Sequence, residues 1–335
     1  MTTRPQKQQG VALIMVLLVV ALVSTLAVTM GGRLQLQILR TQNLQDSEQA
    51  YWYLHSAEAL VKQILLLELE QSDGEVHLGQ NWAEQNSVFP VEGGTIEGRI
   101  SDLRSCLNVN ALDASSSNAT ANNHERRKAQ FKNLFLALQI DDYNADVMVD
   151  SLVDWIDRDS NISGTYGAED PDYESLPTPY RAANAPLAHI SELRLVRGFT
   201  REIYQKVKPF VCAVPANSDG QININTVQRP EVLTALFSGR LALNESAELI
   251  EQRPDNGYNK ITDFSENSAV QAALQIEPGE DQQGGQQQTA LDDLRLTSEY
   301  FELRGRVRFG QLSQTATSII KVDGGTASVL YRGLH

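Results

Sequence analysis

Residues 11–30 carry no charged side chain, and Ser24, Thr25 and Thr29 are the only polar ones among them. A helix rising 1.5 Å per residue over such a run spans roughly 30 Å, the thickness of a bilayer's hydrocarbon core. Arg4 and Lys7 stand in front of the run. By the positive-inside rule the tip stays in the cytoplasm and everything after the run faces the opposite side. An ordinary secretory signal has a shorter apolar core followed by a small-residue cleavage site, for which "TLAVTMGG" (25–32) is a weak match. A plain signal anchor has no use for the glycine at position 10. A short basic leader ending in Gly10, removed before the apolar helix, accounts for both.

Behind the anchor, residues 33–73 contain no Gly or Pro. Ala50, Leu54, Ala57, Val61 and Ile64 recur at spacings of four and three, which predicts one continuous amphipathic stem helix, with Gly31 and Gly32 as a soft joint to the anchor. Alternating apolar positions predict strands within 91–112 and again at 299–311, 315–322 and 327–334. Asp323-Gly324-Gly325 is a hairpin signal between the last two. The segment between these blocks is mostly helical in pattern. The expected class is therefore α+β, with a large all-α domain inserted into the sheet. The expected organisation is a leader (1–10), a transmembrane part (11–32), a stem (33–73), a first sheet part (75–112), the inserted α-domain (113–278), a flexible linker (279–293) and C-terminal strands (294–335).

Within the insertion, "CLNVNAL" (106–112) and "QININTV" (221–227) share an apolar-Asn-apolar-Asn pattern. "HISELRLVRGFTREIYQKVKPFV" (189–211) reads as a short helix, a glycine turn and a second helix, with Ser191 and Thr200 as N-caps. These pieces resemble helix-hairpin-helix or SAM-like modules, which often grip phosphate at a helix N-terminus. The balance of charge speaks against that use here. Against 28 Lys and Arg stand 42 Asp and Glu, a net charge of -14, whereas nucleic-acid binding needs a basic footprint. Docking on anionic lipid by charge is disfavoured for the same reason.

The carboxylates concentrate in "DWIDRDSNISGTYGAEDPDYES" (154–175), which sets seven acids against Arg158 alone. Like charges at this density repel unless a cation joins them. Asp157, Asp159 and Asn161 stand at i, i+2 and i+4, and Gly164 permits a tight turn. Calcium takes six to eight oxygens from a flexible loop of this kind. The spacing is not that of an EF-hand, because Gly164 is eighth and Glu169 thirteenth counted from Asp157. A solvated acidic loop is the competing reading. The five histidines show no HExxH spacing, and the chain has no P-loop and no G-x-S-x-G elbow. Nothing in the sequence marks an enzyme. Two cysteines, Cys106 and Cys212, are too few for a tetracysteine zinc site. An exported domain favours a disulfide between them over two buried thiols.

"QKQQG-VALIMVLLVVALVSTLAVTM" resembles the start of type IV pilins and of type II secretion pseudopilins. The resemblance implies a pilin-like fold, a long N-terminal helix packed on an antiparallel sheet. It also implies cleavage between Gly10 and Val11 by a prepilin peptidase and methylation of the new amine. Loss of Arg4 and Lys7 changes the charge from -14 by two, to -16. Most members of this class carry Glu at the fifth mature position, here Met15. In the family that acid pairs with the free amine of the neighbouring subunit nearer the tip, and a topmost subunit has no such neighbour. An unpaired buried carboxylate costs several kcal/mol, which Met15 avoids. The chain is identified as resembling the K-type minor pseudopilins, which lack this acid. "YWYLHSAEAL" (51–60) and "VDWIDRDS…YGAEDPDY…YRAANAPLAHISELRLVRG" resemble the same family.

The K-type resemblance implies calcium in the α-domain, with Asp157, Asp159, Glu169 and Asp170 as first ligands and Asp154, Asp172, Tyr173 and Asn184 behind them. It implies a single-pass inner-membrane protein of a Gram-negative bacterium with its globular part in the periplasm. Expected partners are the I-type and J-type minor pseudopilins and the inner-membrane assembly platform, with secreted substrates or the outer-membrane secretin at the far end. A DNA-uptake receptor and a type IV pilus minor pilin are the competing readings.

Overall fold

The computed structural model describes residues 9–84, 87–113, 121–275, 289–310 and 312–334. Along the chain, α1 (Gln9–Gln71) is followed by β1 (Ser87–Val91), β2 (Gly94–Asp102) and β3 (Leu107–Asn108). Then come α2 (Ala121–Ala137), α3 (Asp142–Ile156), α4 (Asp170–Glu174), α5 (Arg201–Val207), β4 (Val211–Cys212) and β5 (Ile222–Asn223). Next are α6 (Pro230–Leu236), α7 (Leu243–Glu251), α8 (Ile261–Ser265) and α9 (Ser268–Leu274). The chain closes with β6 (Leu294–Arg295), β7 (Tyr300–Phe309), β8 (Leu312–Asp323) and β9 (Thr326–Leu334). Most of the leader and most of the 279–293 segment lie outside the described residues.

α1 passes through Gly31 and Gly32 unbroken, because an interior glycine weakens a helix by only about 1 kcal/mol and two do not end one this long. Every residue from Gly10 to Gln45 is exposed. Burial begins at Ala50 and continues at Leu54, Val61 and Leu65. These side chains pack against one face of a five-stranded sheet in the order β1-β2-β7-β8-β9, antiparallel at every junction. Phe301, Leu303, Val307 and Ile320 supply the sheet's side of that contact. The strands come from both ends of the chain, as their alternation implies. Gly324 and Gly325 take φ of +54° and +80°, the left-handed pair a two-residue hairpin needs between β8 and β9.

One position of the α1 stripe is a carboxylate. Glu58 is buried between Leu54 and Val61 and accepts hydrogen bonds from Ser318 Oγ at 2.8 Å and from Arg332 Nε and Nη2 at 2.9 and 2.8 Å. Burial works to raise its pKa, but the bonds from Arg332 and Ser318 outweigh burial and the net shift is downward. The pair ties the stem helix to the edge strand β9.

The second core lies between β2 and β7 in sequence and is built from α2, α3 and the shorter helices around Phe131, Phe135, Met148, Leu152 and Phe237. It is not all helix. β3 pairs with β4, and β5 with β6, both parallel. Two expected boundaries move. Strand pairing in the large sheet stops at Asp102, and Leu107, Val109 and Leu112 belong to the helical core. Ala290 and Leu294 belong to it as well, and Asp293 is held by Arg126 and, at 2.6 Å, by Arg127. The end of the segment read as linker is thus anchored by burial and by two guanidinium groups on α2.

The repeated Asn pattern has a structural cause. Asn108 Oδ1 accepts from Asn110 N at 3.2 Å, and Asn223 Oδ1 accepts from Asn225 N at 2.9 Å. Asn110 then bonds both ways with the backbone of Leu187, and Asn225 does the same with Tyr258. The partners open similar stretches, "LAHISEL" (187–193) and "YNKITDF" (258–264). The same bonding pattern thus occurs twice, Asn110 and Asn225 each stitching a strand end to a remote loop. Thr200 caps α5 as expected, but His189 rather than Ser191 caps the 3₁₀ turn Ile190–Leu195, because that turn starts earlier than the pattern suggests.

Glu58→Gln is expected to cost about 2 kcal/mol at neutral pH, below the loss for a fully buried pair, because Arg332 remains 37% exposed and can rehydrate. A group with a lowered folded pKa contributes above its unfolded value, and the contribution fades as pH falls through the folded one. The gap between wild type and Glu58→Gln in denaturant unfolding should therefore shrink in acid, below the ordinary glutamate value of 4.5.

Candidate metal centre

α3 ends with Asp154 on its last turn and Asp157 as its C-cap. Carboxylates there oppose the helix dipole, whose C-terminal end is already negative. The loop that follows folds back over α3. Asp150 Oδ2 accepts from the backbone of Thr165 and Tyr166 at 3.1 and 3.2 Å, and Asp150 is neutralised by Lys128 at 2.8 Å. Asp154 Oδ1 accepts from Ser163 N at 2.8 Å. The return is possible only with glycine at two places. Gly164 has φ +62°, and a Cβ on it would run into the Asp150 carboxylate; a Cβ on Gly167 would strike that of Asp154.

This wrapping brings Asp157, Asp159 and Glu169 together, with one oxygen from each within 4.8 Å of the others. Asp154 Oδ2, Asp157 Oδ1, both Glu169 oxygens and Asn184 Oδ1 are buried without a hydrogen-bond donor. Asn184, at φ +45°, points its amide nitrogen to the Asp159 carbonyl at 3.0 Å. Burial, and then the charges of Asp159 and Asp154, push Asp157 up to about 7. Burial, and then Asp154 and Asp157, push Glu169 up to about 7. Burial also raises Asp154, against the bond from Ser163. Buried oxygens without donors cost free energy that a hard cation would recover, and an all-oxygen set of this kind suits calcium.

The remaining candidates serve other bonds. Asp170, expected among the first ligands, is the opening residue of α4; its Oδ1 accepts from Ala182 N at 3.0 Å, and Arg181 lies 3.9 Å away. Asp172 caps the Glu169 amide at 3.3 Å and pairs with Arg197 at 3.4 Å. Tyr173 is buried against Trp155 and Tyr180, and its hydroxyl accepts from Arg197 N at 3.3 Å. One further carboxylate acts at this end of α3. Asp113, buried beyond the 3₁₀ turn Val109–Leu112, raises the Asp157 pKa by its charge. It is far from the acidic loop in sequence, and no local pattern signals it.

The profile of the family described as "Type II secretion system (T2SS), protein K" matches residues 105–216 and 222–282. The type II secretion system protein K of Aeromonas hydrophila is 36% identical over 337 residues, which covers 98% of this chain and 98% of the relative. The chain belongs to the type II secretion system protein K family. The protein of the same name from Pectobacterium carotovorum subsp. carotovorum is 34% identical over 329 residues, 97% of this chain and 96% of the relative. A solved chain from the GspK–GspI–GspJ complex of enterotoxigenic Escherichia coli superposes with a TM-score of 0.74 at 32% identity, covering 88% of this chain and 99% of that one. The match supports a mixed fold with a long N-terminal helix and an antiparallel sheet. Membership makes the chain a minor pseudopilin, a structural component of the secretion apparatus, and sets aside the DNA receptor and the type IV pilus pilin.

The N-terminal helix fits single-pass membrane anchoring. α1 holds an 18-residue window of mean hydropathy 3.0, long and apolar enough for a single membrane anchor. Gly10 and Val11 lie exposed near its start. Cys106 and Cys212 are joined by a disulfide, with Cα atoms 5.8 Å apart. Gly164→Ala is expected to lower unfolding stability by about 2 kcal/mol or more, the left-handed backbone and the displaced Asp150 both contributing. Thermal melting of the purified chain measures this.

Proposed function

We propose that this chain caps the tip of the periplasmic pseudopilus, where it helps start assembly and supports secretion across the outer membrane. The observation that carries the reading is the exposed apolar length of α1. Leu34, Leu36, Ile38, Leu39 and Leu44 continue the apolar surface past the roughly 20 residues that a bilayer covers. Such a surface is stable only against other helices, and a filament core supplies them. Met15 lets the helix enter that core without a carboxylate in need of a partner above it. The helical part is too bulky to repeat along a thin shaft, which favours a single terminal copy. In this reading a prepilin peptidase cuts between Gly10 and Val11 and the new amine is methylated. I-type and J-type minor pseudopilins flank α1, as the relative's complex suggests. The inner-membrane platform feeds the assembly, and the tip meets substrates or the secretin.

Co-purification tests the assembly step. The wild-type chain should bring down the I- and J-type subunits from membranes, and Leu36→Glu with Leu39→Glu should lose them and lower secretion. Mass spectrometry of the mature chain should show loss of ten residues and one added methyl group, and Gly10→Val should retain the leader.

The metal centre is read as a calcium site held by Asp154, Asp157, Asp159 and Glu169, with Asn184 beside them. Calcium would cancel the repulsion among these acids and hold the loop to the end of α3. At a hundredfold excess over Kd, added calcium should stabilise the fold by about 2.7 kcal/mol, and EGTA should remove that gain. Asp157→Asn with Glu169→Gln should melt at one temperature with or without calcium. A wild-type melting curve that ignores both reagents would sink the assignment.

A further inference from the structure

α1 covers one face of the sheet, and the opposite face forms one wall of a cleft. The other wall is the helical part around Lys208 and Arg229, and the enclosed volume is about 410 Å³, within the ordinary range for ligand sites. On the sheet wall Arg99 and Arg304 stand directly opposite each other in the β2–β7 register. Like charges in that relation destabilise a strand pair. Arg304 has Glu302 at 2.8 Å, whereas Arg99 makes no ion pair among the described residues. On the facing wall, Lys208 lies over the Tyr204 ring at 5.8 Å and Arg229 over the Phe210 ring at 5.7 Å, and neither makes an ion pair among the described residues.

Two carboxylates also line the cleft, and both are engaged. Glu302 holds Arg304, and Asp102 accepts from Ser298, from Thr226 at 2.6 Å, from Arg104 N at 2.8 Å and from Asn223 at 3.2 Å. Four cations less two carboxylates leave +2 in a chain whose net charge is -14. Leu78 and Pro209, both still partly exposed, add apolar surface beside the cations.

We propose that this cleft binds an acidic, partly apolar peptide segment of another protein, whose carboxylates meet Arg99, Lys208 and Arg229 while its apolar side chains lie on Leu78 and Pro209. A local cationic spot inside an acidic molecule selects a short segment with a few carboxylates. A long polyanion would meet the repulsion of the remaining surface. The apolar lining further favours a peptide over bare phosphate. The site shares no residue with the metal centre and does not depend on the capping role.

Fluorescence anisotropy on the full chain in detergent micelles tests this. The probes are a fluorescein-labelled decapeptide of alternating Glu and Leu, the same peptide with Lys for Glu, and a labelled oligothymidine of equal charge. The Glu peptide should bind, the Lys peptide should not, and affinity should fall as salt rises from about 50 to about 500 mM. Arg99→Glu and Lys208→Glu should each weaken binding about tenfold. Lys206→Glu, on α5 but outside the cleft lining, should leave it within about twofold, so that a general charge effect is separated from a local one. All three positions are on the surface, and unchanged circular dichroism confirms the fold. Binding of the Lys peptide with equal strength, equal loss in Lys206→Glu, or no binding of the Glu peptide at millimolar concentration overturns the proposal. Tighter binding of the oligothymidine overturns it in favour of a nucleic-acid site.

Discussion

The buried carboxylate of Asp102 joins the two halves of the molecule. It stands at the last residue of β2, where the chain leaves the sheet, and it collects donors from β5 (Asn223), from Thr226 just beyond it, and from Ser298 on the return to β7. Burial raises its pKa even though the bonds from Ser298, Thr226 and the Arg104 amide favour the charged form. Arg104, two residues on, pairs with Asp219 and Glu299 at 2.8 Å each. The exit from the sheet and the re-entry to it are therefore clamped at one polar knot, flanked by the Cys106–Cys212 bond and by His189 stacked on Tyr331. Without such a knot a long insertion between paired strands would be free to swing.

That clamp has consequences at a distance. It seats the helical part against the sheet so that a cationic cleft lies between them, and it leaves the acidic loop at the end of α3 away from the sheet. The loop concentrates cost in one place. Acids cluster at the wrong end of a helix dipole, oxygens are buried without donors, and glycines are required for the turn. Features of this kind persist where a bound group offsets them.

Much of the plan could be read from the residues. The anchor and stem follow from an uncharged run and a three-and-four spacing, and helix α1 obeys both. β7 to β9 follow from alternation and from Asp323-Gly324-Gly325. The acidic cluster announces itself by density, and of the ligands that the family resemblance implies, Asp157, Asp159 and Glu169 come together. Asp170 does not join them, because one residue further along a helix start turns a side chain well away from its neighbour. Leu107 to Leu112 look like strand and pack as helical core, since period-two alternation does not say which core a residue enters. Glu58 sits in an apolar stripe, where its partners Ser318 and Arg332 are visible only after folding.

Periodicity, charge content and turn residues are local properties, and they determined by themselves that this chain has one membrane-length helix, a stem, a terminal hairpin and a loop too acidic to be neutral. Which carboxylates face each other, that Asp102 binds two remote segments, that Arg99 opposes Arg304, and that Cys106 reaches Cys212 across 106 residues were decided by tertiary structure. Those pairings depend on the path of the chain between distant positions, and that path is set by the packing of two cores rather than by any neighbouring residue.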